Sequence, residues 1–276
     1  VELKDLAYFT DKAGEVRLVI EDGALLEWSA ATGTAPSAAQ VAALGEGIVP
    51  VRYEKNLSAI KLADQARICR SRVLVCGCGG LGGTLITLLA RLGVGKLRLV
   101  DGDAFAASNL NRQWLCDSRT LSRSKALAAA QHVRDVNPLI EVETFTHIMD
   151  ESNLETLVQG MDLVMDGLDN LEGRFLLAAG ARRHGIPFIH GAATGWWGQV
   201  STFLPDSPRD LTAIYGSAKA RDTLEIAMGV LSPTPSLIAS LQVFEAVRLM
   251  VGKKPAYADR LLFFDGESGV MECIML

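Results

Sequence analysis

The sequence predicts an α/β fold: a doubly wound, mostly parallel Rossmann-like sheet extended by antiparallel C-terminal strands, with a small N-terminal module. Short β-branched apolar runs alternate with helical periods from residue 72 to residue 190. A glycine loop joins the first of those runs to the first helix, and the last apolar runs follow one another with no helical pattern read between them. Alternation implies parallel strands joined by crossover helices, and its loss implies strands that fold back antiparallel.

Residues 1–50 have a different texture and read as an accessory module; residues 51–276 read as the main domain. In the module, runs at 15–20 and 24–28 flank Glu21-Asp22-Gly23, a hairpin signal, and 36–44 reads as a short helix. Breaks rich in Thr, Gly, Ala and Pro fall at 30–36 and 45–50. The main domain opens with a strand at 72–76 and a helix from Gly80, whose Leu81, Leu85, Leu88, Leu89 and Leu92 recur at helical spacing. Strands follow at 96–100, 141–145, 162–165 and 186–190, alternating with helices at 124–136, near 153–158 and at 171–184. Strands at 199–204, 261–265 and 270–275 are read without intervening helices, as the antiparallel extension. Between them, 205–235 carries four prolines and two glycines, the pattern of a mobile functional connection.

With 276 residues, 49% of them hydrophobic, the chain has enough apolar material for a substantial core. A formal charge of −5 without a basic block argues against a nucleic-acid partner. Arg91 interrupts one apolar region, and Pro233, Pro235, Glu245 and Arg248 interrupt another, so no membrane span is expected. No signal-peptide pattern follows Val1, and the five cysteines at 69, 76, 78, 116 and 273 contain no Cys-x-x-Cys pair. Together these predict a reducing, cytoplasmic setting with no structural zinc site, and Cys76 and Cys78 as small packing groups.

Four glycines, Gly77, Gly79, Gly80 and Gly82, follow the first strand at dinucleotide-fingerprint spacing. One glycine permits the tight turn, one lets backbone N–H groups approach a phosphate, and one lets the helix lie close on the strand. Asp101 closes the next strand, where an acid accepts hydrogen bonds from ribose hydroxyls. Further polar clusters fall where strand ends meet loops. Asp103 and Ser108-Asn109-Leu110-Asn111-Arg112-Gln113 can face phosphates, or form a solvated loop. Lys125 opens a helix where an ammonium meets an anion, or is an ordinary surface lysine. Asp169-Asn170 offers a carboxylate for Mg2+, while Asn170 also suits a helix N-cap.

Residues 72–82, 100–103, 108–113, Lys125, Asn137-Pro138, 166–170, Gly191-Ala192-Ala193 and Gly198-Gln199-Val200 together resemble the ThiF/MoeB/HesA family. These are the bacterial E1-like, ubiquitin-activating-type adenylyltransferases, and the similarity spans about 51–276. The resemblance implies that the C-terminal glycine carboxylate of a ubiquitin-like sulfur-carrier protein, ending in Gly-Gly, attacks Mg-ATP. Acyl-adenylate and pyrophosphate are the implied products. It assigns phosphate binding to Gly77, Gly79, Gly80 and Gly82, ribose to Asp101, and the triphosphate to Asn109, Arg112 and Lys125. Asp103, Ser108, Gln113 and Asn170 complete the implied nucleotide site, and Asp169 positions Mg2+. It also implies a homodimer in which a basic residue crosses to the other copy's site. The family's activating arginine falls at Lys55, with Arg52 as a substitute, and Lys keeps the charge without the planar fork. The family's zinc-binding Cys-x-x-Cys pairs are missing, and no cysteine lies between Cys116 and Cys273 to form a covalent carrier adduct.

Two other readings stay open on the sequence. The fingerprint and Asp101 also suit an NAD(P)-dependent oxidoreductase. Lys55 and the missing thiol also suit a nucleotide- or carrier-binding module with weakened turnover. His132, His147, His184 and His190 read as packing or surface residues, with His190 set apart by its place beside Gly191.

Overall fold

The structure is a computed structural model that describes residues 2–12, 14–216 and 228–276. The main sheet consists of β4 (Arg72–Cys76), β5 (Lys96–Val100), β6 (Glu141–Phe145), β7 (Leu163–Asp166), β8 (Phe188–Thr194), β9 (Trp197–Phe203), β10 (Arg260–Asp265) and β11 (Val270–Met275). Their order is β11-β10-β9-β8-β7-β4-β5-β6. The strands from β8 to β6 pair parallel. From β8 outward to β11 they pair antiparallel. The doubly wound sheet with an antiparallel C-terminal extension is therefore observed.

Its two faces are visible in the alternation of single strands. Val73 and Val75 of β4 enter one core with α4 (Gly80–Leu92) and α5 (Lys125–Val136), while Leu74 and Cys76 enter the other. That second core holds α6 (Leu154–Val158) and α7 (Leu171–Arg183). Period-two burial on both faces is what a central parallel strand requires. The chain winds from β4 through β5 to β6, then returns across β4 to β7 and β8. The C-terminal ends of β4 and β7 thus flank the topological switch point, where open α/β sheets hold ligands.

Backbone contact at that point is unusually close. A Cβ on Gly82 would stand 1.8 Å from the Gly77 carbonyl oxygen, and one on Gly77 would stand 2.4 Å from that of Gly167. Gly77 also has a φ of +91°, which penalises any side chain. The strand ends are stitched by Gly77 N–H donating to the Val100 carbonyl and Gly167 N–H donating to the Cys76 carbonyl, each at 2.8 Å.

The structure corrects two sequence-based expectations and adds one helix. Residues 24–28 are helical, not a hairpin strand: they belong to α1 (Asp22–Thr32), with Leu25 and Ser29 buried one turn apart. Gly23 shows no positive φ, so Glu21-Asp22-Gly23 begins a helix instead of turning a hairpin. The hairpin is formed upstream, by β1 (Tyr8–Lys12) against β2 (Glu15–Ile20). Second, 62–70 forms α3 (Leu62–Arg70), a helix the sequence reading passed over. Third, the C-terminal strands do have a helix between them: α9 (Pro233–Met250) separates β9 from β10. Pro233 and Pro235 open that helix because N–H groups of the first turn have no intrahelical acceptor. Of the connection expected to be mobile, 217–227 lies outside the described residues, and α8 (Thr212–Tyr215) precedes it.

The buried Glu245 of α9 fixes the return to the sheet. Its carboxylate accepts from Ala256 N and Tyr257 N at 2.9 Å each, from Thr202 Oγ1 at 2.9 Å and from Arg248 at 2.7 Å. At the N-terminal end, β3 (Val49–Pro50) pairs parallel with β2, and α2 (Pro36–Gly45) covers the small sheet. Tyr53, fully buried, donates to Gln40 Oε1 at 2.8 Å and accepts from Asn137 Nδ2 at 2.9 Å. The same asparagine donates to Ala90 O, so this one cluster links the N-terminal elements to α4 and α5. Among the described residues, no helix is long and apolar enough to cross a membrane.

Gly82→Ala is expected to cost about 3 kcal/mol in urea unfolding, the upper end for forced overpacking; a change within error would mean that helix and loop can separate. The cysteines supply a second check. Cys69, Cys76 and Cys78 are buried, with the Cys69 thiol pushed up to about 12 and the other two also raised by burial, whereas Cys273 is exposed. Alkylation of the native protein should modify Cys273 and spare those three until denaturant is added; mass spectrometry showing Cys76 labelled as fast as Cys273 would contradict the packing.

Candidate functional site

A cleft of about 840 Å³ opens over the C-terminal ends of β4, β5 and β7. Gly77, Gly79 and Gly80 form part of its floor, at the loop and the N-terminus of α4. A Cβ on Gly79 would meet nothing closer than the Gln113 amide at 3.4 Å, so here the missing side chain leaves room for a ligand. Gly82 does not line the cleft; its part is the close approach of helix to loop. The glycines thus divide the roles inferred from their spacing.

Asp101 lies on the wall at the end of β5 and is half-buried. Its Oδ2 accepts from Cys78 N at 2.7 Å and its Oδ1 from Asp103 N at 2.8 Å, so backbone donors hold both oxygens in place. Burial raises its pKa, and those two donors oppose the rise. Lys125 is buried at the start of α5, contrary to the surface-lysine alternative, and its Nζ donates to Asp103 Oδ2 at 2.9 Å. Ser124 caps that helix. Arg112 and Gln113 also line the cleft. Arg112 donates to Ser108 O at 3.1 Å and Asn111 Oδ1 at 2.9 Å; buried Gln113 has an Oε1 without a hydrogen-bond partner.

Asp169 and Asn170 also line the cleft. Asn170 caps α7, its Oδ1 accepting from Gly173 N at 2.7 Å, so the N-cap reading holds and Asn170 still faces the cleft. Ser108 and Asn109 sit on the short turn 107–109 and do not line the cleft; Asn109 Oδ1 accepts from Ala106 N at 2.9 Å. Lys55 is exposed on the turn 51–56, also away from this cleft. Arg52 is committed elsewhere. Its Nε donates to Asp22 at 2.9 Å and its Nη1 to the Val136 carbonyl at 2.8 Å.

The sequence reading missed two groups. His147, Ile148, Met149, Asp150 and Glu151, between β6 and α6, also line the cleft. Arg174 of α7 forms part of its inner wall. A signal for Arg174 was present: Leu171, Arg174, Leu177 and Ala181 share the buried face of that helix, and a charge on such a face needs a partner. For 147–151 nothing local distinguishes a binding loop from any other polar connection.

With this geometry in view, comparison with known proteins is decisive. The ThiF family model matches residues 53–274. The chain belongs to the ThiF family. Its relatives include the SAMP-activating enzyme E1 of Haloferax volcanii, 37% identical over 227 residues, which cover 81% of this chain and 84% of that protein. The molybdopterin-synthase adenylyltransferase of Haemophilus influenzae is 36% identical over 79% of this chain and 91% of its own length. Among solved structures, PaaA superposes with a TM-score of 0.69 at 24% identity, covering 81% of this chain and 72% of that one. MccB of E. coli, solved with ATP, also gives 0.69, at 17% identity over 80% of this chain and 70% of its own. The two structures bear on the fold; the sequence relatives and the family set the class of enzyme, an adenylyltransferase.

The ThiF-family cleft makes one pH-dependent statement. Asp101 accepts hydrogen bonds as the ionised carboxylate, and its raised pKa brings protonation on earlier as pH falls. Calorimetric ATP affinity should weaken on acidification already above the ordinary Asp value of about 3.9, and Asp101→Asn should flatten that limb. The contribution of Asp101 itself to the nucleotide-free fold has the opposite sign, because a raised folded-state pKa means that its protonation favours the folded state. An acid limb that persists in Asp101→Asn would assign it to another group.

Proposed function

We propose that this chain is an ATP-dependent adenylyltransferase acting on a ubiquitin-like sulfur-carrier protein of the ThiS or MoaD kind. The carrier's C-terminal glycine carboxylate attacks the α-phosphorus of ATP, giving acyl-adenylate and pyrophosphate. One observation carries the reading: the open glycine loop, Lys125, Arg112 and Asp169 face a single cleft across the switch point. Relatives named SAMP-activating enzyme E1 and molybdopterin-synthase adenylyltransferase support it.

The chemistry suits the residues. A carboxylate nucleophile is already ionised near neutral pH, so no general base is needed. In-line displacement at phosphorus asks for positioning and charge neutralisation. Gly77, Gly79 and Gly80 let the backbone approach the phosphates, Lys125 and Arg112 supply positive charge, and Asp101 orients the ribose. Lys125 would exchange Asp103 for a phosphate oxygen without leaving the site. Among the described residues, no group of three or more His, Cys, Asp or Glu side chains is arranged to hold a metal. Asp169 fits Mg2+, which usually takes one or two carboxylates and completes its shell with water and phosphates. When bound there, Mg2+ offsets charge on the triphosphate.

The rest of the assignment follows the same reading. Residues 1–50 form an accessory module and 51–276 the adenylation domain of a cytoplasmic homodimer. In that homodimer Lys55 reaches the site of the second copy. The exposure of Lys55 and the commitment of Arg52 to Asp22 favour Lys55 for the role.

Pyrophosphate exchange with Gly-Gly-ending carriers tests the proposal. Exchange should depend on the carrier, fall at least about 100-fold in Asp169→Ala by loss of the metal, and persist or rise in Lys55→Arg. ATP binding without carrier-dependent exchange would overturn the reading, and NAD binding with ATP excluded would favour the oxidoreductase alternative.

A further inference from the structure

We propose that His190 and Tyr215 are positioning residues for the Asp169 loop, acting through Asp166 and Arg174. The inference rests on the adenylation reading and its placement of Mg2+ at Asp169. It concerns a buried polar chain beneath the cleft floor that none of the roles above employs.

The chain of contacts has a single direction. His190 Nδ1 donates to Asp166 Oδ2 at 2.7 Å. This leaves His190 Nε2 as an acceptor, and Tyr215 Oη donates to it at 3.0 Å. Tyr215 Oη in turn accepts from Gln199 Nε2 at 2.8 Å and Arg174 Nη1 at 3.0 Å. His190 and Asp166 are both fully buried and Arg174 nearly so. Neighbouring Phe188 and Ile189 on β8 are apolar core residues, so a polar group at 190 is not imposed by the strand. Burying such groups is costly unless they are paired; both Asp166 oxygens and both His190 ring nitrogens are hydrogen-bonded, while Arg174 Nε stands 3.5 Å from Asp166 Oδ2 as an ion pair without a hydrogen bond.

That geometry converges on one residue. Leu168, which directly precedes Asp169, donates its N–H to Asp166 Oδ1 at 3.0 Å and accepts at its carbonyl from Arg174 Nη2 at 2.6 Å. Both polar groups of Leu168 are therefore clamped, one by the carboxylate that His190 orients and the other by the guanidinium that Tyr215 orients. Tyr215 comes from α8, beyond β9 in the chain, so the loop takes its position from a remote element. Partners that orient a metal-binding group typically change metal affinity about 10- to 100-fold when lost.

The test is calorimetric ATP binding with excess Mg2+ and with the metal removed by chelation, together with a melting temperature for each variant. Tyr215→Phe keeps the ring against Phe175 and His190 but removes the hydroxyl. It should lower the Mg2+-dependent gain in affinity about tenfold and leave metal-free ATP binding unchanged. His190→Leu should do the same, and His190→Asn, which can still donate to Asp166, should restore most of the gain. If His190→Leu does not fold, Tyr215→Phe decides alone. A folded Tyr215→Phe with the full wild-type gain overturns the proposal, even if its melting temperature is lower, because that pattern belongs to packing. Wild-type protein that binds no ATP overturns the functional reading, and this inference with it. Wild-type protein that binds ATP with no gain from Mg2+ overturns the metal placement and this inference but not nucleotide binding.

Discussion

Everything at the cleft depends on three backbones meeting at contact distance. Gly77, Gly82 and Gly167 come so close that a Cβ on any of them would lie within 2.6 Å of a carbonyl oxygen. The contact brings the first turn of α4 onto the end of β4 and the loop after β7 onto both. The N-terminus of α4, with its outward N–H groups, then faces the crevice between diverging crossovers, a place suited to an anion. Moving any one backbone outward would separate the glycine cradle from the Asp169 loop.

Three charged groups around that junction are held by named partners. Lys125 is held by Asp103, Asp101 by two backbone donors, and Asp166 by His190, the Leu168 N–H and the Arg174 guanidinium 3.5 Å away. The arrangements differ in kind. The Asp103 carboxylate is largely exposed, so water screens its ion pair with Lys125. Asp166 and His190 are sealed from water and costly to rearrange, which suits a support better than a ligand. The cleft therefore pairs adaptable cations at its surface with a rigid carboxylate frame beneath.

Much of this was legible residue by residue. Strand 72–76, the glycines, Asp101, Lys125 and Asp169 are neighbours along short strand–loop–helix units, where local periodicity and turn chemistry say where each belongs. The failures have equally specific causes. Glu21-Asp22-Gly23 serves a helix start as well as a turn, and only the burial of Leu25 and Ser29 selects the helix. Pro233 and Pro235 read as helix breakers until their place in the first turn is known. Tyr215 is bland in sequence and His190 is marked only by its place beside Gly191; 25 residues apart, they become a pair only because β8 and α8 meet beside Asp166.

The sequence by itself determined the parallel sheet and its antiparallel extension, because these rest on short-range patterns of apolar period, and its ordered motifs together carried the resemblance to the family. Only the tertiary structure decided which polar residues share the cleft, that Arg52 is committed to Asp22, and that Arg174 supports the Asp169 loop. Those outcomes depend on the winding that carries β7 back beside β4 and on contacts between residues tens of positions apart. Distances of that kind are set by the packing of whole elements, and no local stretch of the chain encodes them.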